Sequence, residues 1–253
     1  MTSISPENIL SALIQINHLL SGEDHHDLCL RTVNFMGYEL NTITSPQNSM
    51  VENLKTLNNF FFNTKTFRVQ PKPVLLKKVL NERCGSGMLL SLLFAHLAKG
   101  LGIQAQIVHW PAHTILKIEL DGKSRFINLN KGGEFLSDEE LLDIVNKNKE
   151  PLRTLETHEA LHQYLMYLAM HFKNENDKDS LLLTLGAILQ LDAENTRFVA
   201  ERALLRFEKG MYKDALCDFK RYFSFTEIEN TAPEILMAFE KTKRQLAEVN
   251  ELN

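Results

Sequence analysis

The stretch that most limits what this chain can become runs from Arg83 to Asn130. Within it, Met88 to Leu101 is apolar on nearly every side of a helical wheel, with Ser91 and His96 as interruptions. A helix of that kind has no face suited to water and must lie at the centre of a domain. Gly102 ends it. Three segments with strand-like alternation follow: Ala105 to His109, His113 to Leu120, and Arg125 to Leu129. Asp121-Gly122 joins the second and third with a hairpin turn signal. A buried helix on a small antiparallel sheet is therefore predicted, an α+β core.

The rest of the chain is read around that core. Ser5-Pro6-Glu7 carries the marks of a helix start: serine at the N-cap, proline at the first helical position, acid in the first turn. Apolar residues from Ile9 to Leu20 recur at helical spacing, and Ser21-Gly22 closes the segment. A second helix is predicted over Asp27 to Leu40, burying Leu28, Leu30, Val33, Phe35 and Met36. A third turns Val51, Leu54, Leu57, Phe60 and Phe61 inward. Val69-Gln70-Pro71-Lys72-Pro73 excludes regular helix, and Val74 to Leu80 resumes it. Ser137-Asp138-Glu139-Glu140 is a capping box that opens another helix.

From Leu152 onward glycine and proline nearly vanish, strand signals stop, and helix follows helix. A shift of about 34 residues lays Ala169 on Ala203, Leu181 on Ala215 and Leu185 on Phe219, the period of tetratricopeptide helix pairs. Gly210 takes the turn position of one copy and Asn176 that of the other. A plain helical bundle is the alternative reading. Thr231-Ala232-Pro233 starts a last helix that would cap the array. The expected division is 1–150 for the α+β part and 151–253 for the all-α part.

Composition excludes some functions. Of 253 residues, 24% are charged and 44% hydrophobic, enough to fill a core, and the net charge of −4, with no dense Lys/Arg block, argues against a nucleic-acid partner. The apolar run at Met88 is well short of the roughly 20 residues of a membrane span, and no signal peptide is expected from Met1 to Pro6. The three cysteines, Cys29, Cys84 and Cys217, show no CxxC spacing, which points to a reducing, cytoplasmic setting rather than a disulfide framework. His109 and His113 flank Trp110-Pro111-Ala112 without a third ligand, so neither a metal nor any other cofactor is expected.

A larger pattern resembles a known family. Leu57-Asn58-Asn59-Phe60-Phe61-Phe62, Val79 to Ser86, Leu97 to Ile103, Pro111 to Lys117 and Phe126-Ile127-Asn128-Leu129-Asn130 stand in the order and spacing of the bacterial SirB-one group. That resemblance covers nearly the whole chain. It implies a helical lead-in, a transglutaminase-like (papain-like) core with a small antiparallel sheet, then an all-α tetratricopeptide-like domain.

It also implies where chemistry would sit: Cys84 as nucleophile, His113 as base and Asn128 as orienter. Catalysis of this type wants the cysteine at the start of the buried helix, where the dipole and a histidine favour thiolate. Counted back from Gly102, that seat falls on Gly87, and Cys84 comes three positions too early. Three residues are about 4.5 Å along a helix or about 10 Å extended, against the roughly 3 Å a nucleophile and base require. Only a fold-back through Gly85-Ser86-Gly87 would close that gap. Asn128 replaces the usual aspartate and offers imidazolium no charge. The sequence therefore favours a degenerate, non-catalytic scaffold over a cysteine-dependent acyltransferase, amidase or protease. Its expected partner is a protein or peptide held by the helical repeats, with Trp110, Phe207 and Tyr212 as contact residues; neither nucleic acid nor membrane is expected as a partner.

Overall fold

The chain opens with three helices in the computed structural model, which describes residues 4, 8–23, 25–109, 115–120, 122–148 and 152–251. Helix α1 (Ile9–Ser21) is capped by Asn8, whose Oδ1 accepts from Ser11 N at 3.1 Å, and it stops at Gly22 with φ 67°. The N-cap is thus Asn8 and not Ser5; residues 5–7 lie outside the described set. Helix α2 (His26–Thr42) buries Cys29, Val33, Met36 and Leu40. Leu28 and Phe35, expected inside, are 52% and 60% exposed. Val33 and Met36 are buried as expected, and the inward stripe that they share with Cys29 and Leu40 has the four-three-four spacing of one helix face.

Helix α3 (Met50–Asn58) starts with a complete capping box between Ser49 and Glu52. It runs into a π turn (Asn59–Thr64), shown by Lys65 N donating to Phe60 O at 2.7 Å. The wider turn lets Phe60, Phe61 and Phe62, three consecutive residues, all be buried. Phe61 stacks on Phe67 at 4.5 Å between centroids and meets Phe94 edge-on at 5.3 Å.

Strand β1 (Arg68–Val69), helix α4 (Leu76–Glu82) and strand β2 (Cys84–Gly85) come next, and β1 pairs parallel with β2. The buried helix is α5 (Gly87–Gly100), with Leu89 to Ala95, Leu97 and Ala98 all inside. It packs on α1, α3 and strand β3 (Ala105–His109). Strands β4 (Ile115–Leu120), β5 (Lys123–Asn128) and β6 (Glu134–Phe135) continue the sheet. Helix α6 (Asp138–Asn148) carries the expected Ser137–Glu140 box, and β7 (Arg153–Leu155) closes the sheet in the order β6-β5-β4-β3-β7, all antiparallel. Ile107, Leu116 and Ile127 share one face by register; Val108 and Ile115 share the other and pack against Ile144 of α6.

Helices α7 (Thr157–Asn174), α8 (Lys178–Leu191), α9 (Thr196–Glu208), α10 (Tyr212–Phe223) and α11 (Pro233–Glu251) complete the chain. Two compact units result, Met1–Tyr164 and Leu165–Asn253. The division falls later than 150 because β7, a strand where strand signals had been expected to stop, pairs with β3. Tyr164, on α7, is also tied to the first unit by donating its hydroxyl to Val74 O at 2.8 Å. In the second unit Ala203, Ala215, Phe219 and Ala238 form a core. Asn176 (φ 56°) and Gly210 (φ 72°) both turn the chain in the left-handed region. No helix among the described residues is long and apolar enough to cross a membrane.

Candidate functional site

The approach to α5 is built to hold Cys84 still. Helix α4 ends at Arg83, in the left-handed region (φ 59°), whose N–H returns to Val79 O at 2.9 Å. The Arg83 guanidinium lies over the Phe67 ring at 5.2 Å. On either side of Cys84 the ladder to β1 is made: Arg68 N donates to Arg83 O at 2.8 Å and Gln70 N donates to Gly85 O at 2.9 Å. Gly85 cannot carry a side chain, since a Cβ there would stand 2.7 Å from Val79 Cγ2. Gly85 therefore belongs to a packed segment, and a fold-back that would carry Cys84 forward would have to break the ladder to β1.

Ser86 is the N-cap of α5, its Oγ accepting from Leu89 N at 3.4 Å, and Gly87 is the first helical residue. The position with the most helix-dipole help for a thiolate thus holds a residue without a side chain. Cys84 is half-buried and precedes the cap.

Asn128 ends β5 opposite Ile115 and is 4% exposed. Its Oδ1 accepts from Asn130 N at 2.9 Å, capping a 3-10 turn over Leu129–Lys131, and its carbonyl accepts from Gly133 N at 3.0 Å. The following Gly133 (φ 80°) accepts at its carbonyl from Asn58 Nδ2, 2.8 Å away. A Cβ on Gly133 would fall 2.6 Å from Asn58 Oδ1 and 2.8 Å from the Phe62 ring. The amide oxygen that would orient a histidine is directed into its own loop. His113 and Trp110 lie outside the described residues.

The remaining described candidates lie on α2, α9 and α10. Phe207 and Tyr212 are 6.0 Å apart between ring centroids, and Phe207 packs on the Ala203–Phe219 core. Cys29 is buried and desolvation pushes its thiol up, against the weaker pull of Lys77. Cys217, on α10, is exposed. Among the described residues no group of three His, Cys, Asp or Glu side chains is placed to hold a metal ion.

Two features escaped the sequence reading. His96 is half-buried on α5, its ionisation held below the ordinary value of 6.5 by burial first and by Lys99 second. A polar residue inside an otherwise apolar run was the signal for it. The other is Asp218, which accepts from Arg202 Nε at 2.8 Å and Nη2 at 2.6 Å and from Arg206 Nη1 at 2.6 Å. Arg202, Arg206 and Asp218 lie on two different helices, so no single-helix pattern marks them.

Comparison with protein families matches residues 29–171, more than half of the chain, to the transglutaminase-like superfamily. No curated protein matches, and no solved structure does.

Proposed function

Because the chain belongs to the transglutaminase-like superfamily, we propose that it keeps the scaffold without the chemistry, as a non-catalytic interaction or regulatory protein. The observation that carries this reading is the placement of Gly87 at the first position of α5 with Cys84 fixed in the β1–β2 ladder. A cysteine enzyme needs its thiol and base within hydrogen-bond reach, and a pinned strand does not supply the necessary movement. The neutral, turn-capping Asn128 supports the same conclusion.

The finer reading is a protein of SirB-one type whose later helices are tetratricopeptide-like. It is supported by left-handed turns at Asn176 and Gly210 and by the buried small residues Ala203 and Ala215. In that reading the helical part binds a protein or peptide. A hollow of about 300 Å³ in the second unit, with Phe172, Leu181 and Leu204 on its floor and Lys178, Glu201 and Glu208 at its rim, suits an amphipathic segment.

The test uses the protein's own reference thiol. Iodoacetamide labelling at pH 6.5, followed by mass spectrometry, compares half-buried Cys84 with exposed Cys217 in one molecule. Cys84 is expected to react more slowly. If Cys84 reacts faster, and the advantage disappears in His113→Ala, the protein is an acyl-transfer or amidase enzyme and the proposal fails.

A further inference from the structure

Two pairs of glycines in this fold contrast. Gly85 and Gly133 are obligatory, since a Cβ on either would collide with its neighbours. Gly37 in α2 and Gly100 at the end of α5 differ. Both are helical, neither needs a left-handed φ, and a Cβ on either would meet nothing within 4 Å. Glycine weakens a helix relative to almost any other residue, so packing and backbone give no reason for it at these two positions. What Gly37 and Gly100 share is a cavity.

They line the same crevice of about 370 Å³ between α2 and α5, floored by Val33, Leu40 and Leu97 with Tyr38 at the rim. His96 and Gly100 also line a second hollow of about 730 Å³. That hollow receives Lys99, Gln104 and Gln106, together with the first residues of α1 and α7 at Ile9 and Thr157. The two spaces therefore adjoin at His96. Its ring makes no hydrogen bond among the described residues, and held neutral it offers one donor and one acceptor.

The charge is one-sided. Among the described residues no carboxylate lines either space and Lys99 makes no ion pair. Two helix N-termini add partial positive charge, while Lys99 offsets the negative end of α5. Polar side chains line both spaces, Asn34, Asn41 and His96 the crevice and Lys99, Gln104 and Gln106 the hollow, and among the described residues only the hollow carries a cation.

We propose that the crevice and the hollow form one binding site for a small organic carboxylate. Its apolar body lies between Gly37 and Gly100, and its acid group meets Lys99. This site is separate from the Cys84 segment and does not depend on whether that segment is catalytic.

Benzoate is the probe, titrated into the full chain at constant ionic strength set with sodium chloride, and read by amide NMR at Gly37, Gly100 and Gly102. Saturable shifts at these glycines are expected. Lys99→Met should weaken binding about tenfold, the value of one charge-assisted hydrogen bond. Gly100→Leu should fold, since its side chain enters open space at a helical position, and should abolish saturation; Gly37→Leu serves as the second plug. Absence of saturable shifts overturns the proposal. So does benzyl alcohol binding as tightly as benzoate, or Lys99→Met binding as tightly as the parent. Undiminished binding in a folded plug variant overturns the location.

Discussion

Asp218 in the second unit and Asn128 in the first are buried to nearly the same degree, 3% and 4% exposed, yet they are satisfied over different reaches of chain. Asp218 on α10 takes three hydrogen bonds from Arg202 and Arg206 on α9. Asn128 accepts from Asn130, two residues on. The first arrangement ties one helix to another; the second only shapes a turn. A catalytic constellation needs the first kind, with side chains from distant segments directed at a common point. At Ser86 and Asn128 the polar side chains serve backbone caps.

That contrast can be tested by removing its members, beginning with the costliest. Asp218→Ala leaves two guanidinium groups without their anion and should lose about 3–5 kcal/mol in urea unfolding. A loss below about 1 kcal/mol would make the triad a surface-like pair and end the contrast. Gly133→Ala should cost about 2–3 kcal/mol, from a left-handed residue with a Cβ and from overlap with Asn58 Oδ1. Part of that cost should return in the double variant with Asn58→Ala.

Asn128→Ala removes a cap and should lose about 1 kcal/mol, with no change in the labelling rate of Cys84. A changed rate would mean that the amide acts on the thiol, and the two regions would differ less than they now do. His96 gives a pH signature in the first unit. Its folded ionisation lies below 6.5, so under that pH the unfolded chain binds more protons. The stabilisation is present above 6.5 and is lost as pH falls further. His96→Gln should flatten that acid limb in a pH series of thermal unfolding. The smallest effect separates the two left-handed turns: Asn176→Gly should gain up to about 1 kcal/mol, and Gly210→Asn should lose a similar amount.

Long periodic features were legible from the residues alone. The all-round apolar pattern marked α5 to within a residue at each end, and the Ser137–Glu140 box located α6. Features decided by tertiary pairing were not legible. Strands β1 and β2 have two residues each and no period to detect. Strand β7 exists because β3 has an open edge. Leu28 and Phe35 were assigned inward on hydrophobicity, whereas Cys29 and Leu40 had the correct spacing for the buried face. At the candidate site, the misfit between Cys84 and the start of the helix was readable by counting from Gly102. The pairing that immobilises Cys84 was not, because it depends on Arg68 and Gln70 across the gap to β1.

The π turn at Asn59–Thr64 has a consequence for chain length. A π turn is an α turn with one residue inserted. Deleting a single residue there would narrow the wide turn to a regular helical one. It would also rotate everything upstream by about 100° relative to everything downstream. Leu54 and Leu57 would leave the core while Phe61 and Phe62 remained in it. The segment should therefore accept many substitutions on its exposed positions and refuse any change in residue number, so that its length, more than its letters, is what the fold has fixed.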